Sequence, residues 1–469
     1  MENDSRQTVL NSCTPNLDGQ VVLYWMQQAQ RAEDNHALEA AIALGNALGV
    51  PVVTLFVLVP GYPLANLRHY TFMLEGLRET AARLRRRRVG WATMLGDPTA
   101  EVPKAVRRLR AAALLTDRGY LHHQRQWRQQ IAGELPVQMI EVDTDCVIPC
   151  TLFPKEEYAA HTLRTKYQQL LPDFLVPIRP LTPHKLPPVS LPVAFDVEDL
   201  PGTLRKLHSD QSVSPSVTYH GGVTEAERKL DTFIREHLTD YRNERQDAAA
   251  NTGSHLSPYL HYGQIAALRV ALTVEKASGE DNLTMQSYLD ELLIRRELGI
   301  NFVWHNAHYD TPEGWPAWGR ETLEEHRLDP RPALYTREQL AAGETGDRVW
   351  NAAQKELLTS GEIHNYPRML WAKKLLEWTD CAEEAWEIGM WLNDWYAMDG
   401  RDANGYTNVA WCLAGKHDRP WPPHPIYGKI RYMSTANAGQ HFSVSGYIAR
   451  VNELCREAGV QPSSTTPYR

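Results

Sequence analysis

The chain of 469 residues lacks the features of secreted, membrane-spanning and disulfide-stabilised proteins. It contains no run of about 18 apolar residues, so we expect no membrane-spanning helix. Residues 1–18 are polar and show no basic segment followed by an apolar one, so no signal peptide is expected. The six cysteines are scattered and form no CxxC pair, which indicates reduced intracellular thiols instead of a disulfide framework.

Phosphate-binding glycine motifs and an excess of positive charge are also missing. Neither GxGxxG nor GxxxxGK[ST] occurs in the first 150 residues, so no dinucleotide or nucleoside triphosphate site is indicated there. The 49 Lys and Arg oppose 57 Asp and Glu, giving a formal net charge of −8. This argues against a general nucleic-acid coat protein, although a local basic site can still bind nucleic acid. Two early basic clusters, 83–88 and 104–110, fit solvated helix faces.

The first 150 residues alternate between apolar runs and helical patterns. The runs that we interpret as strands are Val21–Met26, 52–59 and segments near Trp91, Leu114 and Val137. Helical patterns cover 35–48, which Gly49 and Pro51 terminate, and 66–88. This alternation predicts an α/β domain with a doubly wound, Rossmann-like parallel sheet and helices on both faces.

A proline-rich stretch separates this part from a helical one. Thr224 and Glu227 predict a capping box at the start of the first helix after the prolines. Its apolar face consists of Leu230, Phe233, Ile234 and Leu238. We find no convincing strand from there to Tyr432. We therefore predict an α/β domain at 1–171, an extended linker at 172–222 and an all-helical domain at 223–469.

Tryptophan is abundant and unevenly distributed. Of 14 tryptophans, 11 lie between Trp304 and Trp421. In RMLWAKKLLEW (368–378), Trp371 and Trp378 are seven residues apart, so they share a helix face about 10 Å apart along the axis. Core packing is one explanation, because large aromatic side chains dominate helical cores.

A candidate phosphate site lies in NTGSHLSPYLHYGQI (251–265). Ser257 as N-cap and Pro258 as the first helical residue predict a helix start. The residues before it, 252–254, supply hydroxyl groups and flexible backbone beside free N–H groups. Such a helix N-terminus suits a phosphate or pyrophosphate, although most Ser-Pro helix starts bind nothing.

Two further stretches contain polar groups with two possible roles. In YLDELLIRREL (288–298), Glu291 can form a surface ion pair with Arg295, or it can face a cavity and bind a base. In WLNDWYAMDGRDANGYTNVAW (391–411), Asn393 lies on an aromatic helix and Asp399 begins a turn. Turn formation explains these residues, and so does a polar cofactor edge lying over the loop.

A basic and aromatic loop, CLAGKHDRPWPPHPIYGKIRYM, covers 412–433. Its cations are Lys416, Arg419, Lys429 and Arg431, against the single acid Asp418. Its interleaved rings are His417, Trp421, Tyr427 and Tyr432. Cations with flat rings on a proline-stiffened loop suit single-stranded or flipped-out nucleic acid, and a rigid surface loop is the alternative.

Together with VWNAAQKELLTSGEIHNYPRMLWAKKLLEW (349–378), these stretches resemble the photolyase/cryptochrome family, most of all its class II cyclobutane pyrimidine dimer photolyases. The match runs from Tyr241 to about Phe442. The resemblance implies light-driven repair of UV-damaged DNA by a carbon–carbon lyase with FAD in its helical domain. Photoexcited, fully reduced flavin would pass an electron to a flipped-out dimer, which splits and returns the electron.

The resemblance also implies an oligomeric state, a cellular compartment and a possible second chromophore. It predicts a monomer in the cytoplasm, close to the nucleoid of a prokaryote or in the nucleus of a eukaryote. It predicts no metal site. The α/β domain of this family can hold an antenna such as a deazaflavin or a folate, for which no residue of this sequence is diagnostic.

Motif positions assign residue roles by the same resemblance. The electron-transfer triad would be Trp371, nearest the flavin, then Trp350 and Trp378. Glu291 would stabilise the dimer's radical anion and Met369 would contact the lesion, with Asn393 at the flavin N5 edge. The expected FAD contacts are Tyr241, Gly253, Ser254, His255, Leu256, Ser257 and an Arg368–Asp399 ion pair over the isoalloxazine ring. The expected DNA contacts are Trp411, Arg419, Trp421, Lys429 and Arg431.

The lesion and the alternative functions are also indicated by comparison with the family. Photolyases for (6-4) products use paired histidines where this chain has His364 followed by Asn365, so cyclobutane dimers are expected. Cryptochromes usually carry a long tail, and here about two dozen residues follow Phe442. A blue-light receptor is therefore the alternative function. A Trp-rich helical scaffold, which would be colourless, is a third one.

Overall fold

The structure is a computed structural model that describes residues 5–278 and 282–462. Its sheet has six strands: β1 Gln7–Val9, β2 Val21–Met26, β3 Val52–Leu58, β4 Gly90–Leu95, β5 Ala111–Asp117 and β6 Gln138–Val142. Their order is β1-β6-β5-β2-β3-β4, and every pair is parallel except β1 with β6. Strands β2 to β6 were predicted. β1 was not, because a three-residue polar edge strand has no apolar periodicity.

Four helices cover the two faces of the sheet: α1 His36–Leu48, α2 Leu67–Arg86, α3 Pro98–Arg108 and α4 His122–Glu134. Helices α1 and α2 pack with the Val22 face of β2, and α3 and α4 with the Val21 face. Asn35 caps α1 by accepting from the Leu38 N–H, and Gly49 ends it in the left-handed conformation. The doubly wound fold is therefore confirmed.

The connection between the two parts lies against the protein. Helix α5 (Ala160–Phe174) runs across the boundary predicted after residue 171 and packs in the helical core through Leu163 and Tyr167. The following prolines lie along the edge of the sheet, where the Thr93 N–H donates to the Pro192 carbonyl at 2.9 Å. Helix α6 (Leu200–Leu207) interrupts this stretch. The connector thus reaches the helical domain along the surface of the sheet.

The rest of the described chain is helical. The helices are α7 Val223–Glu236, α8 Tyr241–Glu244, α9 Ser257–His261, α10 Ala267–Ser278, α11 Asn282–Leu289, α12 Arg296–His305, α13 Ala317–Glu325, α14 Arg337–Ala342, α15 Arg348–Ser360, α16 Asn365–Trp378, α17 Ala382–Tyr396, α18 Ala403–Ala414, α19 Thr435–Ala438 and α20 Val444–Glu457. One π-helical turn, Asp290–Arg295, joins α11 to α12. Within the described part, no helix combines the length and apolarity needed to cross a membrane.

Two predicted helix starts are wrong. The capping box at Thr224 is absent, because the N-cap of α7 is Gly222, two residues earlier. The Thr224 hydroxyl instead donates to Glu79 of α2, so a tertiary contact replaces the local one. Helix α9 begins at Ser257, so its N-cap is Leu256 and not Ser257. No side chain makes a capping hydrogen bond at this helix start.

The start of α2 holds the two domains together. Arg68 is 2 % exposed, and its guanidinium group donates to the carbonyls of Leu357 and Tyr396, each at 3.1 Å. The Tyr396 carbonyl belongs to the last turn of α17, where carbonyl groups have no helical partner, whereas the Leu357 carbonyl of α15 also accepts from the Gly361 N–H. Burial lowers the pKa of Arg68 to about 10. The neighbouring Asn66 donates to the Trp395 carbonyl at 2.7 Å.

Candidate functional site

Three tryptophans form a continuous row between α15 and α16. The rings of Trp350 and Trp371 are stacked, with centroids 6.2 Å apart and planes 12° apart. The Trp378 ring meets Trp350 edge-on at 5.3 Å. The Trp350 indole N–H donates to the Trp371 carbonyl at 2.8 Å, and the Trp371 indole N–H donates to Gln354 at 2.9 Å. The order predicted from the sequence is thus the order of contact.

Trp378, at the outer end of this row, is itself buried. Trp378 is only 5 % exposed. Its ring contacts the half-buried Tyr335 edge-on, with centroids 5.3 Å apart. The aromatic row therefore continues past Trp378 to Tyr335, whose side chain is partly exposed to solvent.

Arg368, Asp399 and Asn393 form one hydrogen-bonded group. Arg368 makes two hydrogen bonds of 3.0 Å to the Asp399 carboxylate and one of 2.6 Å to the Asn393 amide oxygen. The Asn393 amide nitrogen donates to Asp394 at 2.9 Å, which fixes the orientation of the amide. Arg368 and Trp371 are three residues apart on α16, so this group lies beside the inner end of the tryptophan row.

A partly buried ion pair organises the stretch before α9. His255 Nδ1 lies 2.9 Å from the Glu362 carboxylate, which also accepts from the Tyr219 hydroxyl. Burial disfavours charge on both groups, but each stabilises the other. The pKa of His255 is therefore raised, and that of Glu362 is lowered to about 2. Glu362 also stabilises the charge of Arg368, so it links this stretch to the Arg368–Asp399 group.

Glu362 and Tyr219 were not predicted as site residues from the sequence. Glu362 is 107 residues from His255 in the sequence, and no local spacing pattern relates residues so far apart. The GEIHN sequence around Glu362 was part of the family resemblance, but the role of the carboxylate was not recognised.

Two buried polar atoms in this region have no partner among the described residues. They are the Thr252 hydroxyl oxygen and His364 Nδ1. Burial lowers the pKa of His364 to about 4, so its ring is neutral. Buried polar atoms are normally hydrogen-bonded, so the two atoms fit a polar ligand bound beside residues 252–257. A phosphate, a ribityl chain and a base all offer suitable groups, and the site therefore fits FAD.

The other predicted FAD contacts adjoin these groups. Leu256 is buried, whereas Gly253, Ser254 and Ser257 are partly exposed. The Tyr241 ring packs against Tyr288, with centroids 5.2 Å apart.

Glu291 forms an ion pair, but not the one that its spacing suggested. It accepts from Arg245 at 2.7 Å, whereas Arg295 lies 3.6 Å from Asp290. The Glu291–Arg295 alternative is therefore wrong. The reason is the π-helical turn, whose wider spacing moves residues four apart out of contact. Glu291 acts electrostatically on Tyr241 and so adjoins the predicted FAD contacts. Met369 is half-buried next to Arg368.

The basic loop carries one tryptophan between two cations. The guanidinium groups of Arg419 and Arg431 lie 4.9 and 5.0 Å from the Trp421 ring. The Trp421 N–H donates to the Lys429 carbonyl at 2.9 Å, which ties the two sides of the loop together. Arg419, Lys429 and Arg431 are exposed, and none of them forms a salt bridge within the described residues. The loop therefore presents unpaired positive charge.

Lys416 does not belong to that basic surface. It is 5 % exposed and pairs with Glu156, and its ammonium group lies 4.1 Å from the Phe302 ring. Lys416, one of the cations that the sequence places in the loop, is thus used for packing between elements, and it was not among the expected DNA contacts. Trp411, in α18, is half-buried.

A separate cavity lies at the carboxyl ends of the parallel strands, where ligands of open α/β sheets bind. It contains about 1150 Å³ of empty space, part of it open to solvent. Its walls include Trp25, Phe56, Tyr62 and Trp127 of the α/β domain and Arg401 of the helical domain. The side chains of Gln27 and Gln30 line it with polar atoms that have no partner in the described chain. Its aromatic walls and unpaired polar atoms therefore suit a polycyclic ligand with polar edges.

A parallel α/β domain, a helical domain and a buried row of indoles agree with the family resemblance found in the sequence. The DNA photolyase family model matches residues 22–188. A deoxyribodipyrimidine photo-lyase of Methanothermobacter thermautotrophicus is 39 % identical over 96 % of this chain and 98 % of its own. The chain therefore belongs to the DNA photolyase family, whose members carry out light-driven DNA repair.

Solved structures agree on the fold. A cryptochrome of Synechocystis sp. PCC6803 has a TM-score of 0.71 at 15 % identity, over 94 % of both chains. A Sulfolobus tokodaii photolyase with two FAD molecules has a TM-score of 0.70 at 17 % identity, over 94 % of this chain and 91 % of that one. The predictions of fold, family and light-driven DNA repair are confirmed, and the cryptochrome is a structural relative alone.

Proposed function

We propose that this chain repairs cyclobutane pyrimidine dimers in UV-damaged DNA with light and fully reduced FAD. The observation that carries the proposal is the arrangement on α16. Three residues of the first turns of that helix are Arg368, Met369 and Trp371. Arg368 pairs with Asp399, which follows α17, and the tryptophan row begins at Trp371. A group that binds a flavin, a group that meets the lesion and an electron path are thus within one turn.

FAD is held, in this proposal, between the stretch before α9 and the turn after α17. The His255 ring, whose pKa is raised by Glu362, and the hydroxyl groups of Ser254 and Ser257 face the pyrophosphate. Arg368 with Asp399 and the fixed amide of Asn393 orient the isoalloxazine ring. When bound and reduced, FAD supplies the photoexcited electron that splits the dimer. The protein's part is to bind, to orient and to exclude water.

The dimer lies in this proposal between Glu291, Met369 and Trp411. Glu291 pairs with Arg245 at 2.7 Å, and the pair provides a hydrogen-bonding edge for the pyrimidine bases. Arg419, Trp421, Lys429 and Arg431 contact the surrounding duplex. Repair must take place outside the base stack, so a pocket and a loop that replaces the flipped bases are both needed.

The cavity at the end of the parallel strands is the proposed antenna site. A deazaflavin, a folate or a flavin has a ring system that can pack against its aromatic walls. The polar edges of these rings can also supply hydrogen-bond partners to the side chains of Gln27 and Gln30. The two FAD molecules of the Sulfolobus tokodaii photolyase support a second chromophore in this fold. We further propose that the enzyme acts as a monomer in the compartment that holds the cell's DNA.

The test is repair of a duplex with one thymine dimer by the purified, chemically reduced protein under blue light and in the dark. We expect a flavin absorption spectrum, light-dependent loss of the dimer, and no loss in the dark. A duplex with one (6-4) product serves as the control and should remain unchanged. Dimer loss that does not depend on light, or none at all with reduced flavin bound, would contradict the proposal. Repair of the (6-4) product would overturn the assigned lesion.

A further inference from the structure

Two adjacent lysines on α16 have very different surroundings. Lys374 pairs with Glu377 at 2.8 Å, as a lysine near a protein surface usually does. Lys373 is 0 % exposed and has no salt bridge among the described residues. Its ammonium group donates to the Cys412 carbonyl at 2.9 Å, the one hydrogen bond that the structure gives it. An ammonium group has three donors, so this one is buried with incomplete compensation.

The ammonium group of Lys373 also contacts Trp411. It lies 4.7 Å from the centroid of the Trp411 ring, the geometry of a cation–π interaction. Trp411 is half-buried, so part of the indole remains accessible to a ligand. The lysine therefore fixes one face of an aromatic side chain that belongs to the proposed lesion site.

The same lysine lies under the basic loop. The Tyr427 hydroxyl donates to the Lys373 carbonyl at 3.1 Å and to the Glu377 carboxylate at 2.9 Å. Asp418 and Arg431 of the loop act electrostatically on the ammonium group. Lys373 thus connects α16, the Trp411 helix and the loop that would contact DNA.

We propose that Lys373 is a positioning residue for lesion recognition, whose buried charge holds the Trp411 indole in place for the dimer. The inference rests on the proposed function, because it assumes that Trp411 meets damaged DNA. Replacing a buried unpaired charge with an apolar side chain of similar length is often neutral or stabilising. We therefore expect Lys373 to contribute to ligand binding and not to the stability of the fold.

The charge of Lys373 gives the proposal a pH dependence. Burial lowers the pKa of Lys373 to about 8, and the nearby Cys412 and Asp418 partly oppose this. Burial raises the pKa of Cys412 to about 11 and that of Tyr427 well above its ordinary value. The other charged groups beside it are Glu377, Asp418 and Arg431. The lowered pKa of Lys373 lies between pH 7 and 9, whereas the raised pKa values of Cys412 and Tyr427 lie above this range.

The experiment measures the dark affinity of the FAD-containing protein for a dimer-containing duplex at pH 7, 8 and 9. We expect wild-type affinity to fall as the pH rises through about 8, since the ammonium group then becomes neutral. Lys373→Met should bind about tenfold more weakly at pH 7 and show no further fall, because the cation–π contact that holds the indole is lost. Lys374→Met, the matched control, should follow the wild type.

Thermal unfolding separates this role from a structural one. Lys373→Met should melt at the wild-type temperature or above it, whereas a folding role predicts a lower melting temperature with unchanged pH dependence of binding. Trp411→Leu, which keeps Lys373, should also abolish the fall in DNA affinity between pH 7 and 9. This variant tests the proposal even if Lys373→Met folds poorly. A wild-type affinity that does not change from pH 7 to 9 would overturn the inference. No preference of the wild type for damaged over undamaged duplex would instead contradict the proposed function.

Discussion

Arg368 makes three hydrogen bonds to Asp399 and Asn393, and His255 and Glu362 form a second charged pair a few residues from the start of α16. Neither pair is on open surface, where ion pairs contribute little. Fixed charges in a shielded site act on a bound group without first having to reorient. These residues therefore prepare the site for a cofactor that carries both phosphate groups and a polar ring edge.

Glu362 should control how tightly FAD is held. Glu362→Gln removes the carboxylate that raises the pKa of His255, so burial would leave the imidazole neutral at pH 7. A hydrogen bond from a charged donor contributes about 1.5–3 kcal/mol, so we expect FAD to bind at least about tenfold more weakly. Wild-type FAD affinity should likewise fall as the pH rises through the raised pKa of His255. FAD dissociation constants from pH 6 to 9 would measure both effects. Equal affinities of the two proteins would remove His255 from the phosphate site.

Glu291 should act after the electron has moved, not in binding. Glu291→Gln keeps the size of the side chain but removes the charge, and we expect a several-fold lower quantum yield of dimer splitting with nearly unchanged DNA affinity. Asp290→Asn, a neighbouring carboxylate on the same π-helical turn, is the control and should keep the wild-type yield. Equal yields for Glu291→Gln and wild type would reduce Glu291 to a structural partner of Arg245.

The loop between α18 and α19 is built to present a ring and two guanidinium groups together. Its backbone is closed by the Trp421–Lys429 hydrogen bond, and Lys429 is in turn anchored to Thr322 of α13 at 3.0 Å. A loop fixed on both sides loses little conformational freedom on binding, which favours insertion into a duplex.

Trp421 should fill the gap that a flipped dimer leaves. Stacking on an aromatic ring contributes about 1–3 kcal/mol per base, so Trp421→Ala should weaken binding to a dimer-containing duplex about tenfold or more. Single-stranded lesion DNA has no gap, and its affinity should change little. Equal losses on both substrates would mean that Trp421 contacts the lesion or the core.

Arg431 should contribute through phosphate neutralisation. Arg431→Ala is expected to reduce the slope of log affinity against log salt by about one unit of charge, because each neutralised phosphate releases counterions. Titrations of the same duplex from low to moderate salt give that slope. A salt dependence identical to that of the wild type would place Arg431 away from the DNA backbone.

The two domains behave as one molecule because α2 of the first reaches the ends of helices in the second. Arg68→Met leaves several carbonyl groups of α15 and α17 without their donor, and we expect the free energy of unfolding to fall by about 3 kcal/mol. Arg85→Met, on the same helix but with a half-exposed side chain, is the control. Denaturant unfolding measured by two probes would give the difference. An unchanged free energy of unfolding for Arg68→Met would show that the domains are held by other contacts.

Much of this architecture could be predicted because its signals are local. Strands β2 to β6 and helix α1 followed from apolar periodicity and from Asn35 and Gly49 at the helix ends. The shifted start of α7 could not be predicted, since Thr224 is bonded to Glu79, 145 residues away. Local capping rules compete with tertiary partners that a single sequence does not reveal.

The site residues could be predicted where the family resemblance assigned them. Their ion-pair and hydrogen-bond partners could not be predicted, because these partners are distant in the sequence. The Arg368–Asp399 pair and the order of the tryptophans are present in the structure, and their roles toward flavin and DNA stay predictions. Arg245 as the partner of Glu291 was missed, because the π-helical turn changes which residues meet. The buried charge of Lys373 was missed for a similar reason, since spacing alone does not distinguish it from Lys374.

Photoreduction of Trp371→Phe tests most directly whether the indole row feeds electrons to a flavin that repairs DNA. Under blue light with a thiol donor, we expect the wild type to accumulate fully reduced FAD and Trp371→Phe not to, because the first ring of the row is gone. Trp386→Phe, which lies outside the row against Trp315, is the control and should photoreduce normally. Chemically reduced Trp371→Phe should still repair the dimer, since repair needs reduced flavin but not the row. Photoreduction of Trp371→Phe at the wild-type rate would contradict the account.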